Sequence, residues 1–126
     1  MKKMFFALFI LFSACKKDNP PVPTPTIHSV VMKFHSDDST MILRNYTYPV
    51  SGNLVNKQDT VYQVNTTITY NWPKNTTTMS DHSMHINDLH IPLTTFQVSC
   101  ELWIDGIKVA NDGPHIGSSG CEYYIY

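Results

Sequence analysis

Charge is scarce in this chain: Asp, Glu, Lys and Arg make up 15% of its 126 residues. Positions 27–126 carry five Lys or Arg against nine Asp or Glu, a net of about −4. There is no basic run or patch, which argues against nucleic acid as a partner. There is no sustained helical spacing of apolar residues, which argues against long amphipathic helices. The longest apolar run, Met4–Phe12, has nine residues. A helix needs roughly 20 to cross a bilayer, so this run does not form a spanning anchor. Gly-x-Ser-x-Gly, His-Glu-x-x-His and a Gly-rich phosphate loop are all absent. Asp37-Asp38 falls in an expected turn, and Glu101 and Glu122 alternate outward on expected strands. Nothing in the residues supports an enzyme, and no cofactor is implied.

What the chain does have begins at its start. Met1-Lys2-Lys3 precedes the apolar run, and Ser13-Ala14-Cys15 follows it. Two lysines, a short apolar core and two small residues form a secretory signal over residues 1–14. The stretch Leu11-Phe12-Ser13-Ala14-Cys15 resembles the lipobox of bacterial lipoproteins, with Phe12 where that family usually has Leu. The resemblance implies cleavage before Cys15 and acylation of its thiol and new amino group. Each buried CH₂ contributes about 0.8 kcal/mol, so several acyl chains hold a protein firmly to membrane lipid. Residues 15–26 then read CKKDNPPVPTPT, with prolines at 20, 21, 23 and 25. Such a segment favours extended, semi-rigid conformations and suits a tether. Its Lys-Lys-Asp start resembles lipoproteins of the Bacteroidetes group, which implies the cell envelope and an outer membrane. Which face of the membrane carries the domain stays open.

The remaining hundred residues, 27–126, are enough for one domain with one core. Thr, Val, Ile and Tyr dominate, and turn residues recur at short intervals, as in an all-β domain. Strands are expected at Ile27–Phe34, Thr40–Tyr48, Thr60–Trp72, Thr76–Ile86, Leu93–Ile104 and Cys121–Tyr126. Pro49–Asn53 and Asn87-Asp88 read as breaks. Ile104-Asp105-Gly106-Ile107 signals a two-residue hairpin, because Asp-Gly supplies the positive φ angles of a type I′ turn. That register sets Ile104 opposite Ile107 and Leu102 opposite Val109. Alternation turns Val98, Cys100, Leu102, Ile104, Ile107 and Val109 to one face. Trp103 and Lys108 share the other face, as a cation–π pair. Asn111–Pro114 is expected to end the second arm.

Cys100 and Cys121 are the two cysteines left in the domain. Both belong to inward faces, and an exported protein lives where disulfides persist. A bond between them would close a loop of about 22 residues and stabilise by roughly 3 kcal/mol. Six to seven strands with this staple predict a small antiparallel, immunoglobulin-like β-sandwich.

The segment Ser99–Val109, with its Asp105-Gly106 turn and the later Cys121, resembles the small mycobacterial membrane protein (MmpS) family. That family shares a cysteine, a short alternating strand, Asp-Gly, a second strand and a later cysteine. The resemblance implies a small β-sandwich and a role as accessory subunit of an envelope lipid or siderophore exporter. The family starts with a transmembrane helix, whereas this chain starts with a lipobox.

Two further groups of side chains could carry chemistry. His82, His85 and His90 could hold copper or zinc with Met84 if the segment folds back on itself. On a strand, however, positions 82 and 85 point to opposite faces. Trp72, Trp103, Tyr124 and Tyr126, with Tyr46 and Tyr48, could instead form a patch for a glycan or an envelope protein. Ordinary strand packing is the competing explanation. The expected protein is therefore a lipid-anchored envelope lipoprotein whose β-sandwich binds or assists a partner.

Overall fold

A computed structural model describes residues 26–37, 42–74, 79–89 and 96–126. Eight strands run through them: β1 (Thr26–Ser36), β2 (Ile42–Val50), β3 (Asn53–Val61), β4 (Asn65–Lys74), β5 (Ser80–Asp88), β6 (Gln97–Ile104), β7 (Ile107–Ile116) and β8 (Ser118–Ile125). They form two antiparallel sheets, ordered β4-β1-β6-β7 and β3-β2-β5-β8. The sheets pack face to face as a β-sandwich, so the chain is all-β as expected. The signal segment, Cys15 and most of the tether lie outside the described residues.

Period-two alternation explains the strands. In β1, Val30, Met32 and Phe34 are buried while Val31, Lys33 and His35 face out. In β6, Val98, Cys100, Leu102 and Ile104 are buried, as the sequence predicts. These residues meet Ile42, Met84 and Ile86 of the other sheet in one core. Each fully buried side chain of this size contributes about 1.5–3 kcal/mol. A row of aromatic contacts runs through the same interior. Phe34, Tyr46, Tyr48 and Tyr70 meet edge to face with centroids 5.8–6.4 Å apart, and Tyr70 stacks on His82.

Several expectations are corrected. The run from Thr60 to Trp72 is two strands, because the chain crosses between sheets at residues 62–64. That crossing supplies the eighth strand. Asn87 and Asp88 belong to β5, where they pair with Leu43 and Ile42. Pro49–Asn53 is a two-residue hairpin turn, with Ser51 and Gly52 at φ 49° and 79° and Val50 paired to Asn53. The Asp105-Gly106 hairpin forms as expected, with φ 52° and 78° and Ile104 opposite Ile107. Leu102, however, faces Ala110, because the register shifts by one residue between Leu102 and Trp103. Ile107 is exposed rather than inward: the facing sheet leaves a cleft at this tip. Tyr123 of edge strand β8 opens into the same cleft. Strand β7 continues past Pro114 to Ile116, since an edge strand tolerates a residue without an amide donor. Gly113 lies so close to β6 that a Cβ there would come within 2.6 Å of the Val98 carbonyl oxygen.

Two carboxylates at the margins of the interior gather hydrogen bonds. Arg44, buried on β2, donates two 2.7 Å hydrogen bonds to Asp59 of edge strand β3. Tyr46 donates a third to the same carboxylate at 3.1 Å. These bonds, the Arg44 one first, hold Asp59 below the usual carboxylate range. Asp112 is held lower still, at about 2. The Gly120 amide, His115 and Ser119 all donate to it.

Both carboxylates favour the ionised form in the folded state, so their stabilisation is complete above their ordinary pKa of 3.8. It is lost as pH falls through the lowered values. Melting temperature followed from pH 5 down to about 2 should therefore drop, and Asp112→Asn should flatten that drop.

Candidate functional site

The outer face of the β4-β1-β6-β7 sheet is not covered by the facing sheet. Antiparallel register lines up side chains across it in rows. Thr69, Val31, Trp103 and Lys108 form one row, Thr67, Lys33 and Glu101 the next, and Asn65, His35 and Ser99 a third. Trp103 therefore stands in the middle of an exposed sheet rather than in the core.

Its surroundings are polar and charged. The Lys33 ammonium sits 4.3 Å from the centre of the indole, and that of Lys108 sits 5.8 Å away. The indole N–H donates to Glu101 Oε2 at 2.9 Å, and Lys108 donates to Oε1 at 3.0 Å. These two bonds, the Lys108 one first, hold the Glu101 carboxyl below its ordinary range. Such a Lys–Trp contact contributes about 0.5–1 kcal/mol at an exposed site. The geometry fixes the indole plane and leaves two cations against one carboxylate, in a domain whose overall charge is negative. The sequence predicts the Lys108–Trp103 pair from the hairpin alone. It does not reveal Lys33, which reaches Trp103 through the β1–β6 pairing, seventy residues apart in sequence.

Beside this cluster lies a depression of about 300 Å³. Lys33, His35, Asn65, Thr67, Ser99 and Glu101 wall it. Phe34, Thr66 and Cys100 form its floor by their backbone, since their own side chains point inward. His35 bonds Asn65 Oδ1 at 2.7 Å and meets Asp37 at 3.3 Å. Hydroxyl, amide, ammonium and carboxylate groups thus converge next to one aromatic ring. This arrangement can donate to and accept from a ligand bearing many hydroxyls while the ring packs against its apolar edge. No family model, curated protein or solved structure matches the chain.

The other aromatic candidates do not join Trp103. Trp72 is part of the core, where its N–H donates to Ser80 Oγ at 3.1 Å and its ring meets His82 edge-on. Strand alternation turns it inward with Tyr70. Tyr124 and Tyr126 line a separate cleft of about 410 Å³ at one end of the sandwich. Tyr46 is buried and Tyr48 packs against the core. The expected four-residue patch is therefore split between an outer face, a core and an end.

The histidines are also separated. His82 is fully buried and shares a 2.8 Å hydrogen bond with Tyr70. Burial pushes the Tyr70 phenol up to about 12. His85 points the opposite way, over Gly120, where a Cβ would collide with its ring. His90 lies outside the described residues. Among the described residues no group of three His, Cys, Asp or Glu is placed to hold a metal ion.

Cys100 and Cys121 are brought together from opposite sheets as buried thiols, with sulfurs 2.7 Å apart. The Cys121 thiol bonds toward Cys100, which lowers the Cys100 pKa and raises that of Cys121. Ser119 Oγ lies 3.4 Å from the Cys100 sulfur.

The two tryptophans should respond differently to truncation. Urea unfolding of Trp72→Ala should show a loss of about 3–5 kcal/mol. Trp103→Ala should cost less, about 1–2 kcal/mol, because the half-buried indole loses only its Lys33 and Glu101 contacts.

Proposed function

We propose that the protein is a lipid-anchored lipoprotein of the cell envelope whose β-sandwich binds a saccharide on its outer β4-β1-β6-β7 face. The observation that carries this reading is Trp103, fixed on an exposed sheet between Lys33, Lys108 and Glu101, beside a depression walled by hydroxyl and amide side chains. A pocket of about 300 Å³ is at the lower end for small ligands, which suits one or two sugar rings. The cations outnumber the carboxylate in the cluster, so sugars bearing a carboxylate bind more tightly than neutral ones. The role proposed for this face is binding. The lipobox-like Leu11–Cys15 and the proline-rich segment after it support the anchor.

Calorimetric titration with uronic-acid and neutral oligosaccharides tests the site. Trp103→Ala should abolish binding. Lys33→Met should remove the preference for the acidic sugars. Unchanged affinity in both variants would dismiss this face. Intact mass of membrane-extracted protein tests the anchor, which requires cleavage before Cys15 and added acyl chains.

The facing thiols of Cys100 and Cys121 complete the reading as a disulfide across the two sheets. Their oxidation releases two protons and passes two electrons to a disulfide-bearing oxidant of the envelope, through attack by the thiolate. Mass spectrometry of non-reduced protein should find the chain two hydrogens lighter. Reduction should then cost roughly 3 kcal/mol of stability in a urea titration.

A further inference from the structure

Exposed apolar side chains are unevenly distributed over the sandwich. Among the described residues nine large hydrophobic side chains are exposed. Six of them, Ile27, Val50, Met79, Ile107, Tyr123 and Tyr126, belong to one end or to the cleft that opens there. Tyr62 and Ile116 stand at the other end, and Val55 lies on edge strand β3. The exposures are large: Ile27 is 62%, Ile107 68% and Tyr126 85% accessible.

Register shows that these six share an end. Ile27 pairs with Pro73, and Val30 with Ile104. The Asp105 amide donates to the Ser29 carbonyl at 2.8 Å, and His28 donates to Asp105 at 2.7 Å. Ser80 pairs with Ile125, and the Trp72 N–H reaches Ser80 across the sheets. Strand β2 runs on to Val50 in the same direction, past its pair Tyr46–Met84. Isolated surface hydrophobics need no explanation, but a concentration at one end marks a contact surface.

What covers this end follows from where the chain arrives. Strand β1 begins at Thr26, in the middle of the apolar end. Only ten residues separate Thr26 from Cys15, and ten residues reach at most about 35 Å. The chain thus enters the domain at the end that carries Ile27, Ile107 and Tyr126, and a short linker from the anchor favours that end as the one facing the bilayer. Tyrosine suits that position, because its ring sits at the boundary between headgroups and hydrocarbon.

We infer that the end of the sandwich formed by Ile27, Val50, Met79, Ile107 and Tyr126 docks onto the bilayer interface that holds the acylated Cys15. This surface rests on the anchored reading above and adds a second, apolar contact to it. Asp81 and Glu122 stand close to Tyr124 and act on its phenol. Their charge favours an electrically neutral lipid surface over an anionic one. Docking orients the strands across the membrane plane and turns the outer face with Trp103 sideways, open to ligands.

Depth-dependent quenching tests this directly. The acylated full chain is placed in phosphatidylcholine vesicles with plain or brominated acyl chains. Ile107→Trp and Tyr62→Trp put a reporter at opposite ends, and native Trp72 and Trp103 give the same background in both. Emission added at position 107 should be quenched several-fold more by brominated lipid than emission added at position 62. Equal, weak quenching at both positions in vesicle-bound protein overturns the docked end and leaves the anchor standing. A chain whose mass shows no acyl groups and which floats free of vesicles overturns the anchor, and the docked end with it. Self-association that shields position 107 without quenching by lipid also overturns the inference.

Discussion

Each sheet in this protein must bury one face and only one, and that constraint organises everything else. Val30, Met32, Phe34, Leu102, Met84 and Ile86 leave water only because the two sheets lie against each other. Burial of this interior is the main favourable term available to a hundred-residue domain whose described residues form strands and turns. Because side chains alternate along a strand, the same requirement turns a second set of residues outward. Trp103, Lys33, Glu101 and Lys108 face outward because Leu102, Met32 and Cys100 face inward. The candidate binding face is thus a by-product of core formation.

Polar groups that the sandwich takes inside are managed at its margins. Arg44 is buried, but its partner Asp59 stands on edge strand β3, where water still reaches the carboxylate. The pair ties a largely polar edge strand to the core and keeps the guanidinium hydrogen-bonded. At the opposite edge, Asp112 gathers the Gly120 amide, Ser119 and His115, and so joins β7 to β8 across the sheets. Cys100 and Cys121 lie directly beneath this cluster. Two edges are therefore closed by carboxylates, and one of them also by a pair of facing sulfurs.

The two surfaces left over have different chemistry. The outer face around Trp103 is charged and hydroxyl-rich, suited to a hydrated ligand. The end around Ile107 and Tyr126 is richer in exposed apolar side chains, with Asp105 and His28 among them. The proposed membrane-facing end and the proposed binding face occupy different parts of the domain surface, so neither proposed contact blocks the other.

Much of this architecture is readable in the amino-acid order. Alternation marks β1 and β6, Asp105-Gly106 forms its hairpin, and both domain cysteines point inward, because these features depend only on local backbone geometry. The proposed export signal and anchor rest on the first fifteen residues alone. What sequence cannot supply is the pairing of distant strands. Nothing local splits residues 60–72 into two strands in different sheets, sends Trp72 into the core, or brings Lys33 over Trp103. Those outcomes depend on which strands become neighbours, and that choice is made by burial summed over the whole sandwich rather than by any one segment.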